Sequence, residues 1–173
     1  MIFSEESTMK KVGVIMGSDS DLPVVQKTAD QLLALDIPFE THIYSAHRTP
    51  EEARSFAAGA RENGFGVLIA AAGMAAHLAG AIAANTTLPV IGIPCASGGL
   101  GGLDALLSTV QMPGGIPVAT VAVGGGTNAA LLAAQILAVE DSALAVKLDE
   151  LRRAGAAKVL EKDKEIELRI RGK

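Results

Sequence analysis

Residues 67–72 read Val-Leu-Ile-Ala-Ala-Ala, with Gly66 before them and Gly73 after. The run has strand length and no polar break, and its flanking glycines bound it. An uninterrupted apolar strand is buried on both faces, which is the habit of a parallel sheet covered by helices. Shorter apolar runs repeat on either side of it. Upstream, residues 12–16 and 38–44 read as strands; downstream, 89–93 and 116–123 do. Between them lie segments with apolar residues at helical spacing: 22–35, 50–63, 74–84, 103–110 and 127–139.

Strands alternating with helices make βαβ units and a parallel sheet. Right-handed crossovers then put helices on both faces. The expected fold class is α/β, a three-layer α/β/α sandwich around a parallel, flavodoxin-like sheet in a single domain. Residues 1–9 read as an N-terminal extension and 10–140 as the α/β catalytic domain. Residues 141–173 read as a C-terminal helical tail, predicted as a helix over 142–169 with a break near Gly155. That tail is part of the same domain or an oligomer interface.

The chain has 173 residues and a hydrophobic fraction of 49%, with aromatics at only 3% and no Trp. The apolar content is therefore mostly Ala, Val, Leu and Ile, which suits close helix-on-sheet packing. The net charge of −4 leaves no basic face for nucleic acid. No apolar run approaches the roughly 20 residues of a membrane span. Residues 1–9 carry Glu5 and Glu6 and do not read as a signal peptide. Cys95 is the only cysteine, which rules out an internal disulfide and fits a cytoplasmic protein. It reads as a small buried residue rather than a nucleophile. The three histidines have no i, i+4 spacing and no H-E-x-x-H occurs, so no metal site is expected.

Ligands in open parallel sheets bind where strands end and helices begin. Five segments fall at or near such points. Gly17-Ser18-Asp19-Ser20-Asp21 follows the first strand. Its residues can cap the next helix, whose first amides favour an anion. It is neither G-x-G-x-x-G nor a Walker loop, and Asp21 suits a sugar hydroxyl better than a phosphate. Ser45-Ala46-His47-Arg48-Thr49-Pro50 follows the second strand. It combines an imidazole, which moves protons near neutral pH, with a guanidinium shaped for phosphate. Thr49 can cap the helix that begins at Pro50. Gly73-Met74-Ala75-Ala76-His77-Leu78-Ala79-Gly80 follows the third strand, and its small residues let backbone amides approach a ligand. Gln111-Met112-Pro113-Gly114-Gly115-Ile116-Pro117 punctuates a loop before the fifth strand, and Gly124-Gly125-Gly126-Thr127-Asn128 follows it. Taken singly, each segment is equally a capped turn or a close packing contact. His42, inside the second strand, reads as structural.

Taken together, four motifs in order and at consistent spacing resemble the PurE family, the N5-carboxyaminoimidazole ribonucleotide mutases of purine biosynthesis. They are Met16-Gly17-Ser18-Asp19-Ser20-Asp21, Ser45-Ala46-His47-Arg48-Thr49-Pro50, Ala75-Ala76-His77-Leu78, and residues 110–120 with Gln111-Met112-Pro113-Gly114-Gly115. The resemblance covers about residues 10–160. It implies conversion of N5-carboxyaminoimidazole ribonucleotide to the 4-carboxy isomer, with no metal or organic cofactor, in a homo-octamer. It makes His47 the proton-transfer residue and His77 a second imidazole near the reacting base. It makes Ser18, Asp21, Ser45, Arg48 and Gly73 substrate contacts, with Arg48 on the phosphate. Two departures touch the third motif: Met74 and Ala79 stand where the family usually has Gly and Pro. Two other readings stay open: a related carboxylase that uses free CO2 and usually carries Lys in place of Arg48, and a non-catalytic nucleotide-binding module.

Overall fold

The structure, a computed structural model, describes residues 9–172. Most of the expected N-terminal extension, residues 1–8, lies outside the described residues. Five strands form one all-parallel sheet: β1 (Lys11–Met16), β2 (Phe39–Ile43), β3 (Phe65–Gly73), β4 (Val90–Cys95) and β5 (Ala119–Thr120). Their order is β2-β1-β3-β4-β5, the flavodoxin-like arrangement. The helices are α1 (Leu22–Ala34), α2 (Pro50–Gly59), α3 (Leu78–Ala83), α4 (Leu103–Val110), α5 (Gly126–Leu137) and α6 (Ser142–Arg171).

The run at 67–72 lies in the centre of the sheet, and its alternation explains the layers. Val67, Ile69 and Ala71 point into a core shared with Val25 and Leu32 of α1, Ala130 and Ala133 of α5, and Leu144 of α6. Leu68, Ala70 and Ala72 point the other way, into a core with Ala53 and Ala57 of α2, Leu78 and Ile82 of α3, and Ala105 of α4. A strand read as uniformly apolar thus serves two cores through its two-residue period. The abundance of Ala lets helices sit close. At Gly126 a Cβ would strike the carbonyl of Val24, so only Gly brings α5 onto α1 there. Thr28 Oγ1, fully buried, donates to Gly126 O at 3.0 Å across the same contact.

Three expectations about elements are corrected. The fifth strand, expected over 116–123, is only Ala119–Thr120. Pro117 has no N–H to donate, and Ile116 N is used in a turn to Pro113 O. α2 stops at Gly59 rather than at residue 63; residues beyond it form turns that end at Gly64, with φ 81°. α6 runs through Gly155 without a break over 30 residues. A single Gly on an exposed helical face lowers stability by about 1 kcal/mol and does not stop a long helix. α6 is capped by Asp141, whose carboxylate accepts from Leu144 N at 2.9 Å. Lys147 Nζ pairs with Asp36 at 2.7 Å, and beyond that turn the helix projects from the body. Among the described residues no helix is long and apolar enough to cross a membrane.

Candidate active site

Strand order reverses at β1 and β3, since the chain leaves β1 toward β2 and then returns to the other side. The crevice outside the carboxyl ends of the strands at such a point is where open α/β sheets bind ligands. A cavity of about 430 Å³ lies there, within the size range of small-molecule sites. Its wall takes Gly17, Ser18, Ser20 and Asp21 after β1, and Ser45 to Arg48 after β2. Gly73, Met74, Ala75, His77 and Leu78 follow at the end of β3, and Ser97 comes after β4. All seven residues expected at the site are among them.

The loop after β2 is shaped by its own hydroxyls. Ser45 Oγ accepts from His47 N at 3.3 Å and from Arg48 N at 3.2 Å. Its O–H proton stays available to a ligand. Thr49 Oγ1, expected to cap α2, instead accepts from Ser45 N at 2.8 Å, and α2 has no side-chain cap. The loop conformation took the hydroxyl first. Pro50 at the first turn and Glu51 and Glu52 beside it still favour the start of α2. Arg48 Nη2 reaches across the crevice to donate to Gly17 O at 2.7 Å, tying the loops after β1 and β2 together. His47 points the other way. Its Nε2 stands 3.0 Å from Nδ1 of His77, with the rings edge to face. One ring must donate and the other accept, so the pair holds a single proton between them. Both rings are exposed to the cavity.

The loop after β1 ends in a buried side chain, Asp21. Ser18 opens a 3-10 turn (Asp19–Asp21), accepting from Ser20 N at 3.4 Å and donating to Asp19 Oδ1 at 3.0 Å. Asp21 is 6% exposed. Burial pushes its carboxyl above the ordinary value, countered by hydrogen bonds from the Cys95 thiol and the Ser18 backbone, with Asp19 adding repulsion. Cys95, 3% exposed at the end of β4, has its thiol pushed up to about 12 by burial and by Asp21. It is therefore a neutral neighbour of the carboxyl and not a thiolate nucleophile.

Gly73 ends β3 opposite Cys95. A side chain at Gly73 would collide with Ser97 Oγ, so the glycine keeps two strand ends in contact beneath the cavity. The two departures in the third motif separate here. Met74 lines the cavity and is 64% exposed, whereas Ala79 is buried in α3 against the sheet and does not. Ser20, part of the first motif, and Ser97, the start of a Gly-rich segment, line the cavity although neither was expected as a substrate contact. Ser97 directly follows β4, and the strand-end rule alone points to it. The glycines 124–126 do not line the cavity; they serve the α1–α5 contact and a turn to Pro94. Gln111 and Met112 border a separate hollow on the far side of His77. His42 stacks on Tyr44 at 5.0 Å and meets Phe56 edge-on, as a structural residue does. Among the described residues no three His, Cys, Asp or Glu side chains cluster as a metal site would require.

The chain is similar to known proteins over most of its length. Residues 11–158 match the family model described as AIR carboxylase. The chain is 52% identical to the N5-carboxyaminoimidazole ribonucleotide mutase of Pyrococcus horikoshii, over 96% of this chain and 94% of that protein. It is 55% identical to the protein of the same name from Bacillus subtilis over 87% of this chain and 94% of that one. To that of Escherichia coli it is 49% identical over 91% and 95%. A crystal structure of Treponema denticola PurE superposes with a TM-score of 0.80 at 31% identity, covering 89% of this chain and 96% of that one. The fold, the length covered and the degree of identity agree: the chain belongs to the AIR carboxylase family.

Proposed function

We propose that the protein is an isomerase that converts N5-carboxyaminoimidazole ribonucleotide to the 4-carboxy isomer in purine biosynthesis, with His47 as the proton carrier. The observation that carries this reading is the His47–His77 pair at 3.0 Å on the same cavity as Arg48, Ser18 and Asp21. The names of relatives about half identical to this chain support it further.

The reaction asks little beyond positioning and one proton. The N–C bond of the carbamate breaks, CO2 leaves, and the exocyclic nitrogen takes a proton. The ring carbon then attacks the CO2 and loses its own proton. One proton is given and one is taken, so a single imidazole returns to its starting state. His47 is the ring for this step, and His77, bonded to it, orients it and receives the proton in relay. Arg48 and the Ser45 hydroxyl hold the phosphate, while Asp21 and Ser18 hold the ribose. Gly73 lets the backbone approach the base. Residues 72–75 and Leu78 present mostly apolar atoms to the CO2.

A CO2-dependent carboxylase is the second reading, favoured by the description of the family model. No observation favours a non-catalytic module. One assay separates the enzymes: kcat/KM with the carboxyamino substrate against kcat/KM with aminoimidazole ribonucleotide plus bicarbonate. The mutase reading expects the first to be larger; a larger second value would replace it with the carboxylase.

The protein acts in the cytoplasm as a homo-octamer in this reading. Support comes from apolar side chains left uncovered, Leu103, Leu107 and Val110 on α4 and Val159, Leu160 and Ile166 on α6. Sedimentation of the full chain tests the assembly, and a monomer at micromolar concentration would exclude it.

A further inference from the structure

We infer that Met74 covers the carboxylate end of the cavity and sets how often released CO2 is recaptured rather than lost. This rests on the mutase reading above.

The backbone supplies the first observation. Met74 has φ 54°, in the left-handed region that glycine enters freely and side-chain-bearing residues avoid. Asp36 is the other such non-glycine residue described, at φ 57°. Asp36 is a short polar residue of the kind that tolerates this conformation in turns. Met74 has no such excuse.

The second observation is that folding returns nothing for the strain. The Met74 side chain is 64% exposed and belongs to neither core. A strained residue held without packing at a cavity mouth points to a use for the side chain once the cavity is filled.

The third is its place. Met74 sits on the turn between β3 and His77, with its carbonyl bonded to Ala76 N at 2.9 Å. Ala72, Gly73, Ala75 and Leu78 line the cavity beside it, with the Ser97 hydroxyl against Gly73, while the other hydroxyls, Asp21 and Arg48 come from the loops after β1 and β2. Met74 therefore stands over the apolar end, where CO2 would rest. An unbranched thioether with three rotatable bonds can fold over a small apolar molecule and exclude water.

CO2 released from the carbamate has two fates. Bonded to the ring carbon, with loss of that carbon's proton, it yields the 4-carboxy product. Lost to solvent, it leaves aminoimidazole ribonucleotide, the nitrogen having taken its proton. Met74 biases this partition toward the first fate.

The test uses full-length protein and carboxyl-labelled N5-carboxyaminoimidazole ribonucleotide in unlabelled bicarbonate. Label retained in the product and free aminoimidazole ribonucleotide are measured for wild type, Met74→Gly and Met74→Leu. Met74→Gly relieves the strain and removes the cover; Met74→Leu keeps an apolar cover. The Gly variant should lose label about threefold to tenfold more often, the scale of one or two buried methylene groups, with a Tm equal to or above wild type. The Leu variant should retain label as wild type does. Label retention in Met74→Gly equal to wild type overturns the inference, as does a change of assembly size in that variant, which would make Met74 a subunit contact. Wild type that forms no 4-carboxy product from the carboxyamino substrate overturns the mutase reading itself, an outcome distinct from the other two.

Discussion

The rim and the floor of the cavity are built differently. On the rim, His47, Arg48 and His77 are exposed and held by hydrogen bonds at 2.7 to 3.3 Å within and between the strand-end loops. On the floor, Asp21 and Cys95 are buried, and Gly73 and Ser97 meet where a single methyl group would not fit. Rim groups keep their solvation until a ligand arrives, so changing them should alter chemistry and affinity with little effect on folding. Floor groups are already desolvated, so changing them should alter stability first. The difference predicts which substitutions separate activity from stability and which cannot.

The largest effect belongs to the rim. His47→Asn replaces the imidazole with a smaller polar amide and removes the proposed proton carrier. It should lower kcat by about 10²–10⁴-fold, the usual contribution of a positioned acid–base group, while substrate still binds and Tm stays near wild type. Near-normal turnover of purified carboxyamino substrate by this variant would remove His47 from the proton path. Arg48→Ala comes next. It deletes a guanidinium that ties two loops and that is proposed to hold the phosphate. Loss of a charge-assisted contact of this kind should raise KM by about 10- to 100-fold, with a smaller change in kcat. An unchanged KM would move the phosphate elsewhere.

The rim was legible in the sequence because its chemistry is local. A strand end, a glycine or serine turn, an imidazole and a guanidinium are read within six residues, as at 45–50. The sheet was equally legible, because the apolar run at 67–72 and its shorter companions carry the parallel habit directly. What the sequence did not reveal depends on distant partners. Cys95 reads as a small buried residue, but its neighbour is Asp21, brought to it only by the pairing of β1, β3 and β4. Thr49 looked like a helix cap until the Ser45 amide claimed its hydroxyl. The fifth strand was overextended for a related reason. Val118 to Val123 has strand-forming residues, but an edge strand pairs on one side only, and two residues were enough to meet β4. Gly155 was misread as a break because helix propensity is a weak preference beside the length of α6.

The floor gives the third effect. Gly73→Ala places a methyl group against Ser97 Oγ and 3.2 Å from Cys95 O. Overpacking of this kind should lower stability by about 1–3 kcal/mol, read as a drop in the denaturation midpoint. Ser97→Gly in the same chain removes the hydroxyl and the Cβ behind it, so the double variant should recover most of the loss. Two losses that simply add would mean that the strand ends relax independently, and the floor would not be one packed unit.

The smallest effect has the clearest sign. Burial raises the Asp21 carboxyl above its ordinary value, so the folded chain holds this proton more tightly than the unfolded chain does. Stability from this group is then fully present below the ordinary carboxylate range and is lost as pH rises through the raised folded value. At neutral pH the ionised Asp21 weakens the fold. Asp21→Asn cannot ionise and should be more stable than wild type at neutral pH, by about 0.5–1 kcal/mol or about 1–4 °C in Tm. The gap should close toward about pH 4 and below, where the wild-type carboxyl regains its proton. The same variant should bind the ribonucleotide more weakly, because an amide accepts a sugar hydroxyl less well than a carboxylate does. Thermal melts across pH, with KM measured alongside, read both effects. A gap that does not change with pH would mean that Asp21 is not strained by its burial. A variant less stable than wild type at every pH would mean that the carboxylate holds the floor together, and the distinction between rim and floor would fail at the residue where it is sharpest.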